Sequence, residues 1–279
     1  MGASSESDGV IERLLVRPMS PPDPAVLAAI EAGPMDPAAA AADRDDLDRL
    51  LDPAPLPVET GWCRLPDGVG YVAVRTPMPG VDAGLVDWWF DWHPDDPVRY
   101  RIWHPSAHVS NRVERPSEPG AKAHWDTVHH PVEDVGLGVT DVRIEFKPPS
   151  RLGFADDALA DARVGTIVAG FAGEDRRRLR HTLMVHVFLR EGDGVVLRSH
   201  FWLGAAIRPY APAPLAGPLG VLLNRPAIRR RAVPDAAPQA LARHCAEEYA
   251  NLATLLPELR AAGIAPAAAS ASADAGPSA

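Results

Sequence analysis

The order of its apolar patterning constrains this chain more than any single motif. Residues 98 to 208 hold a succession of short β-like runs, and one long helical pattern follows them near the end. The runs are Tyr100 to Trp103, His108 to Val113, Val139 to Phe146, Gly165 to Phe171, Arg180 to Leu189 and Val195 to Leu203. Strands that follow one another without helices between them pair antiparallel, so the expected class is α+β. The helical pattern runs through Leu241, His244, Glu248, Leu252 and Leu256. It is expected to end at Pro257, with another short helical turn ending near Gly263.

A curved antiparallel sheet around one long C-terminal helix is a helix-grip arrangement, like START domains and the birch-pollen allergen. It leaves a cavity between sheet and helix where ligands bind. The rest of the chain divides around this body. The first dozen residues are polar and read as loose. Residues 22 to 51 read as short helices broken at Pro34 and Pro37, one of them spanning Ala38 to Leu51. The proline-dense stretch Pro53 to Pro57 makes a joint, giving a small N-terminal helical segment over 1–55 that is a candidate dimer contact. The body then spans 56–262. It begins with a hairpin signal, Gly61 to Leu65 and Gly70 to Thr76 around Pro66-Asp67-Gly68, followed by an apolar helix from Val81 to Trp92. The alanine-rich tail over 263–279 is low-complexity and reads as disordered.

Charge excludes some functions. A formal net charge of −9 argues against a surface that neutralises nucleic-acid phosphates or an anionic membrane, and Arg229-Arg230-Arg231 is too short to reverse it. No apolar run reaches the ~20 residues of a membrane span. The start lacks the basic and apolar regions of a secretory signal, so Cys63 and Cys245 are expected as reduced thiols of a cytoplasmic protein.

Metal-ligating chemistry is the alternative that the sequence raises. His244 and Glu248 lie four apart on a helix and therefore project from one face, where an imidazole and a carboxylate can close on a divalent cation. Two other pairs share the spacing, His104/His108 and His129/Glu133, but Pro105 and Pro131 interrupt them, so helical stacking does not apply there. A surface His–Glu pair is the plain alternative for His244/Glu248. The tryptophans at 88, 89 and 92 read as core. Arg198 and His200 share a strand face, and whether that face lines the cavity stays open.

Several blocks in order resemble the 2,4-diacetylphloroglucinol hydrolase family of zinc enzymes, which cleave an aryl-to-acyl carbon–carbon bond. They are Met78-Pro79-Gly80, Asp87 to His93 (DWWFDWH), Arg99 to His108 (RYRIWHPSAH), Pro131 to Gly136, Arg198 to Gly204 and His244 to Leu252 (HCAEEYANL). Together they cover roughly residues 55 to 260. The resemblance implies a Zn2+ site of two His and two Glu at His108, Glu133, His244 and Glu248. His104 is the rival of His108, and Glu145 is the rival of Glu133. It also implies substrate contacts from Tyr100, Asn111 and His186, although a cavity-lining structural role for His186 stays open. Two departures stand out. Phe201 and Trp202 fall where the family has a second substrate-contacting tyrosine, and the segment between His108 and Glu133 is shorter.

The activity implied is hydrolysis of an acyl-phenol by a retro-Claisen route with water activated at zinc. An aromatic ketone would be the small-molecule partner, with Glu247 a conceivable proton shuttle. A metal-free binding protein for lipids or polyketides, and a metal-free cyclase on the same scaffold, are the competing functions. Convergence of the four ligands separates them.

Overall fold

Alternation along the strands of this computed structural model assigns each residue to one of two cores, on opposite faces of one sheet. The structure describes residues 2–41, 43–118, 120–210 and 219–268. Ten strands form the sheet: β1 (Gly61–Arg64), β2 (Gly70–Met78), β3 (His108–Ser110), β4 (Val113–Glu114), β5 (Val128–His129), β6 (Val132–Asp134), β7 (Val139–Phe146), β8 (Val164–Glu174), β9 (Leu179–Glu191) and β10 (Gly194–Pro209). Every pairing is antiparallel. The order is β1-β2-β10-β9-β8-β7-β5-β4, with β6 bridging β7 and β3.

On β10, Leu197, Phe201 and Leu203 enter the first core, together with Val72 and Val74 of β2 and Met184 and Phe188 of β9. This face receives the C-terminal helix Ala237–Ala261 through Leu252, Leu255, Leu256 and Leu259, each fully buried. The intervening residues, including Val196, Trp202, Tyr71, Val185 and Val187, enter the second core. Leu47, Leu50, Leu51 and Leu56 cover that face. The sheet therefore grips the helix on one side and is closed by the N-terminal segment on the other. The segment over 1–55 packs on its own chain, with Leu14 and Ile30 in the first core.

The expected hairpin of β1 and β2 forms, and Gly68 turns it at a φ of +86° that a side chain would strain. The helix of the tryptophan block spans Ala83–Trp92, with Trp89 fully buried. Four expectations differ. Tyr100 to Trp103 is not strand but the end of a helix, Pro97–Trp103. Asp96 caps it by accepting from the Val98 amide at 2.8 Å, and Pro97 fits its first turn. Residues 2–16 form a helix rather than a loose start. The stretch from Ala38 to Leu51 holds only short 3-10 turns, Pro37–Ala39 and Leu47–Leu51.

Finally, the long helix continues through Pro257 to Ala261. An interior proline costs about 3 kcal/mol. Leu259 is fully buried beyond it, worth ~2 kcal/mol. Arg260 adds an ion pair to Asp82 at 2.6 Å. The last turn is thus held from outside the helix. Residues 269–279 of the expected tail lie outside the described residues. Among the described residues no helix is long and apolar enough to cross a membrane.

Candidate metal centre and cavity

The site is assembled where three elements meet. Asn251 donates its amide Nδ2 to the carbonyls of Ile102 (3.2 Å) and Trp103 (2.7 Å), and Trp103 Nε1 donates to the Glu248 carbonyl at 2.9 Å. These bonds clamp the helix Pro97–Trp103 against the C-terminal helix. The chain then turns through Pro105, with the His108 amide donating to the His104 carbonyl at 2.8 Å, and enters β3 at His108. The helix ends before the pair, as Pro105 suggested, but this turn still brings the two rings within 5.5 Å of each other. Across the β3–β6 pairing, His108 stands opposite Glu133.

His108, His244 and Glu248 each offer a donor atom, all within 4.8 Å of one another, and all three are buried. His108 Nε2 lies 3.7 Å from Glu248 Oε2 and 3.5 Å from Glu133 Oε2, and His244 Nε2 lies 3.8 Å from Glu248 Oε2. Of the two rivals, Glu145 pairs with Arg143 at 3.3 Å and is absent from the cavity wall. His104 stacks on His244 at 5.1 Å and points its Nε2 at Glu247, 3.5 Å away. Glu247 itself is held by Arg243 at the surface and does not line the cavity.

The cluster's electrostatics fit a cation. His108 Nδ1 donates to the Tyr100 carbonyl at 3.0 Å, which fixes the tautomer and leaves Nε2 a bare lone pair, buried and without a partner. The His108 ring lies flat on Tyr100, 4.0 Å between centroids and 1° between planes. Tyr100 donates its hydroxyl to Glu133 Oε2. Burial holds His108 well below the ordinary imidazole range and His244 down to about 3, so both are neutral and ready to ligate. Burial likewise raises Glu133 to about 7 and Glu248 well above the carboxylate range, the latter with help from Glu133's charge. Two buried carboxyls beside two neutral imidazoles form a donor set whose charge a divalent ion would balance.

Glu133, His244 and Glu248 line a cavity of about 500 Å³ between sheet and helix, and His108 contacts them without being part of its wall. Tyr100, Asn111 and His186 line the same cavity. Asn111 directs its amide at His129 Nδ1 (3.4 Å), and its Oδ1 has no partner. His186, 3% exposed and lowered to about 3 by burial, is a neutral imidazole. Phe201 lines the cavity, whereas Trp202 belongs to the second core.

Arg198 and His200 share a face, as alternation requires, but it is the face turned away from the cavity. Arg198 donates to the carbonyls of Leu50, Asp52 and Ala54 and to Glu59, and His200 bonds the Tyr71 hydroxyl at 2.8 Å. His93, His129 and Tyr249 are among the cavity residues that the sequence reading did not single out. The DWWFDWH block drew attention to its tryptophans, and Tyr249 follows Glu248 directly in the sequence. Either position was a signal that could have found them.

Comparison with known proteins identifies the family. The family model described as the DAPG hydrolase PhiG domain matches residues 42–261. A 2,4-diacetylphloroglucinol hydrolase of Pseudomonas protegens is 34% identical over 168 residues, 58% of this chain and 55% of that protein. A second enzyme of that name from a Pseudomonas species is 33% identical, over 58% of this chain and 57% of its own. The phloretin hydrolase of Eubacterium ramulus is 32% identical over 70% of this chain and 69% of its own. The match thus spans little more than half the length of the two Pseudomonas proteins.

Proposed function

The chain belongs to the DAPG hydrolase family, and from that premise we propose that it hydrolyses the bond between an acyl group and a hydroxylated aromatic ring, with zinc as its resident ion. The observation that carries this reading is the convergence of His108, His244 and Glu248, with Glu133 beside them, and the lining of a cavity large enough for a polyphenol by Glu133, His244 and Glu248. Two imidazole nitrogens and two carboxylate oxygens are a donor set suited to zinc. The names of the relatives point to acylated phloroglucinols as the substrate class.

In the net reaction, the hydroxyl of water goes to the acyl carbon and its proton to the ring carbon, releasing a carboxylic acid and the deacylated phenol. Zinc held by the four residues supplies Lewis acidity and a water of lowered pKa.

The protein's own groups do the rest. Tyr100 orients both sides of the cluster, its carbonyl accepting from His108 and its hydroxyl donating to Glu133. Asn111 Oδ1, buried and unpartnered, accepts a ring hydroxyl, and His186 meets a substrate oxygen with the ring nitrogen that faces the cavity. Contacts of this kind favour the keto tautomer of the ring, which turns carbon–carbon cleavage into a retro-Claisen step. Met184, Phe201 and Tyr249 keep bulk water away from the reacting bond. Phe201 cannot donate a hydrogen bond, so the ring oxygen beside it goes unrecognised.

The test is incubation of the purified chain with 2,4-diacetylphloroglucinol and with phloretin, following acid release by chromatography before and after chelation. Release abolished by the chelator and restored by zinc is the expected result. Binding of either compound without release, in a protein that takes up no zinc, would make the chain a ligand-binding protein instead.

A further inference from the structure

Behind His186, on the side away from the cavity, lies a serine that the proposed chemistry does not use. Ser199 stands directly opposite His186 in the β9–β10 pairing, and its Oγ lies 2.8 Å from His186 Nδ1. Ser199 is fully buried. The neighbours of the His186 ring are otherwise aromatic: Phe201 edge-on at 5.3 Å and Tyr249 at 5.0 Å. Two polar groups of neighbouring strands thus meet in otherwise apolar surroundings.

Two arrangements of hydrogens are available. In one, His186 Nδ1–H donates to Ser199, and the buried serine proton is left without an acceptor, since among the described residues this ring nitrogen is the only hydrogen-bond partner of the serine hydroxyl. In the other, the serine hydroxyl donates to Nδ1. A buried donor left unpaired is costly, so the second arrangement is the stable one, and it leaves the proton of the ring on Nε2, facing the cavity.

We propose that Ser199 is a positioning residue that holds His186 as its Nε2–H tautomer, making it a hydrogen-bond donor to a substrate oxygen rather than a base. The inference rests on the acyl-phenol hydrolase reading for its kinetic consequence, but the tautomer itself does not. A neutral donor at that place matches an oxygen on which negative charge grows as the carbon–carbon bond breaks. The opposite tautomer would present a lone pair to the same oxygen and repel it.

The test uses two-bond proton–nitrogen correlation spectra of the nitrogen-15-labelled full chain in its metal-free state, with His186→Gln identifying the resonance. The wild type is expected to carry the His186 proton on Nε2. Ser199→Ala should shift the proton toward Nδ1, and Ser199→Thr, which keeps the hydroxyl, should retain it on Nε2. In turnover of an acylphloroglucinol, Ser199→Ala should lower kcat about tenfold with KM within about twofold, and zinc content should not change. A wild-type proton on Nδ1, or a Ser199→Ala spectrum identical to wild type, would overturn the proposal. Absence of turnover in the wild type would overturn the hydrolase reading and leave the tautomer result standing.

Discussion

Replacing Glu248 by Gln removes one negative charge from the cluster while keeping its shape, and two consequences of opposite sign follow. Metal binding weakens. Substitutions that only touch the partners of metal ligands cost 10–100-fold in affinity, so loss of a ligand carboxylate should cost about 100-fold or more. A ligand that binds only the folded state stabilises it by about 4 kcal/mol at 1,000 times its Kd and by about 1.4 kcal/mol at 10 times. For a chain of this size that corresponds to a rise in Tm of roughly 8–12 °C for wild type and roughly 3–4 °C for the variant, at the same zinc concentration.

The metal-free baseline moves the other way. The Glu248 carboxyl is raised well above its ordinary 4.5, and Glu133 to about 7, chiefly by burial. A raised folded-state pKa means that the stability these groups contribute is present below pH 4.5 and is lost as the pH rises through their folded values. Relative to chelated wild type, chelated Glu248→Gln should therefore gain stability as the pH rises from about 4.5 to 7, and should be at least as stable at pH 7. Thermal unfolding followed by circular dichroism, with chelator and with zinc, measures both effects. A variant that gains as much from zinc as wild type would refute the placement of Glu248 in the metal's shell.

Other perturbations separate neighbouring roles. His108→Ala should abolish zinc uptake while His104→Ala leaves about one zinc per chain, as read by elemental analysis, because only His108 aims its free nitrogen at Glu133 and Glu248. Tyr100→Phe frees Glu133 from its hydroxyl donor and should weaken zinc binding about tenfold in a competition titration with a chelating dye. Arg198→Met leaves the carbonyls of Leu50, Asp52 and Ala54 and the Glu59 carboxylate without their donor. It should cost about 3 kcal/mol in urea unfolding, with zinc stoichiometry unchanged.

Much of the fold was legible because strand alternation is local. The runs at 139–146, 165–171, 180–189 and 195–203 became β7 to β10, the structure extending most of them by a few residues. The helix at Pro97 was misread because Tyr100 to Trp103 is aromatic and β-branched, which outweighed the Asp96-Pro97 start signal in front of it. Pro257 reads as a stop in the sequence because its compensation, Leu259 and the Arg260–Asp82 pair, lies in tertiary contacts.

For the site, the helical spacing of His244 and Glu248 and the family blocks pointed to four metal-ligand candidates, and the structure brings their side chains beside one another. Which of His104 and His108 faces the cluster depends on the turn at Pro105, and no periodicity describes that turn. Arg198 and His200 show the same limit: alternation places them on one face but does not say which face the C-terminal helix will cover.

The central claim is that four side chains, scattered over 140 residues of sequence, converge to hold one ion. Elemental analysis of the purified chain, prepared without an affinity tag and without added metal, tests it most directly. The account predicts about one zinc per chain, lost in His108→Ala. A protein that contains no metal, and takes up none when zinc is offered, would contradict it.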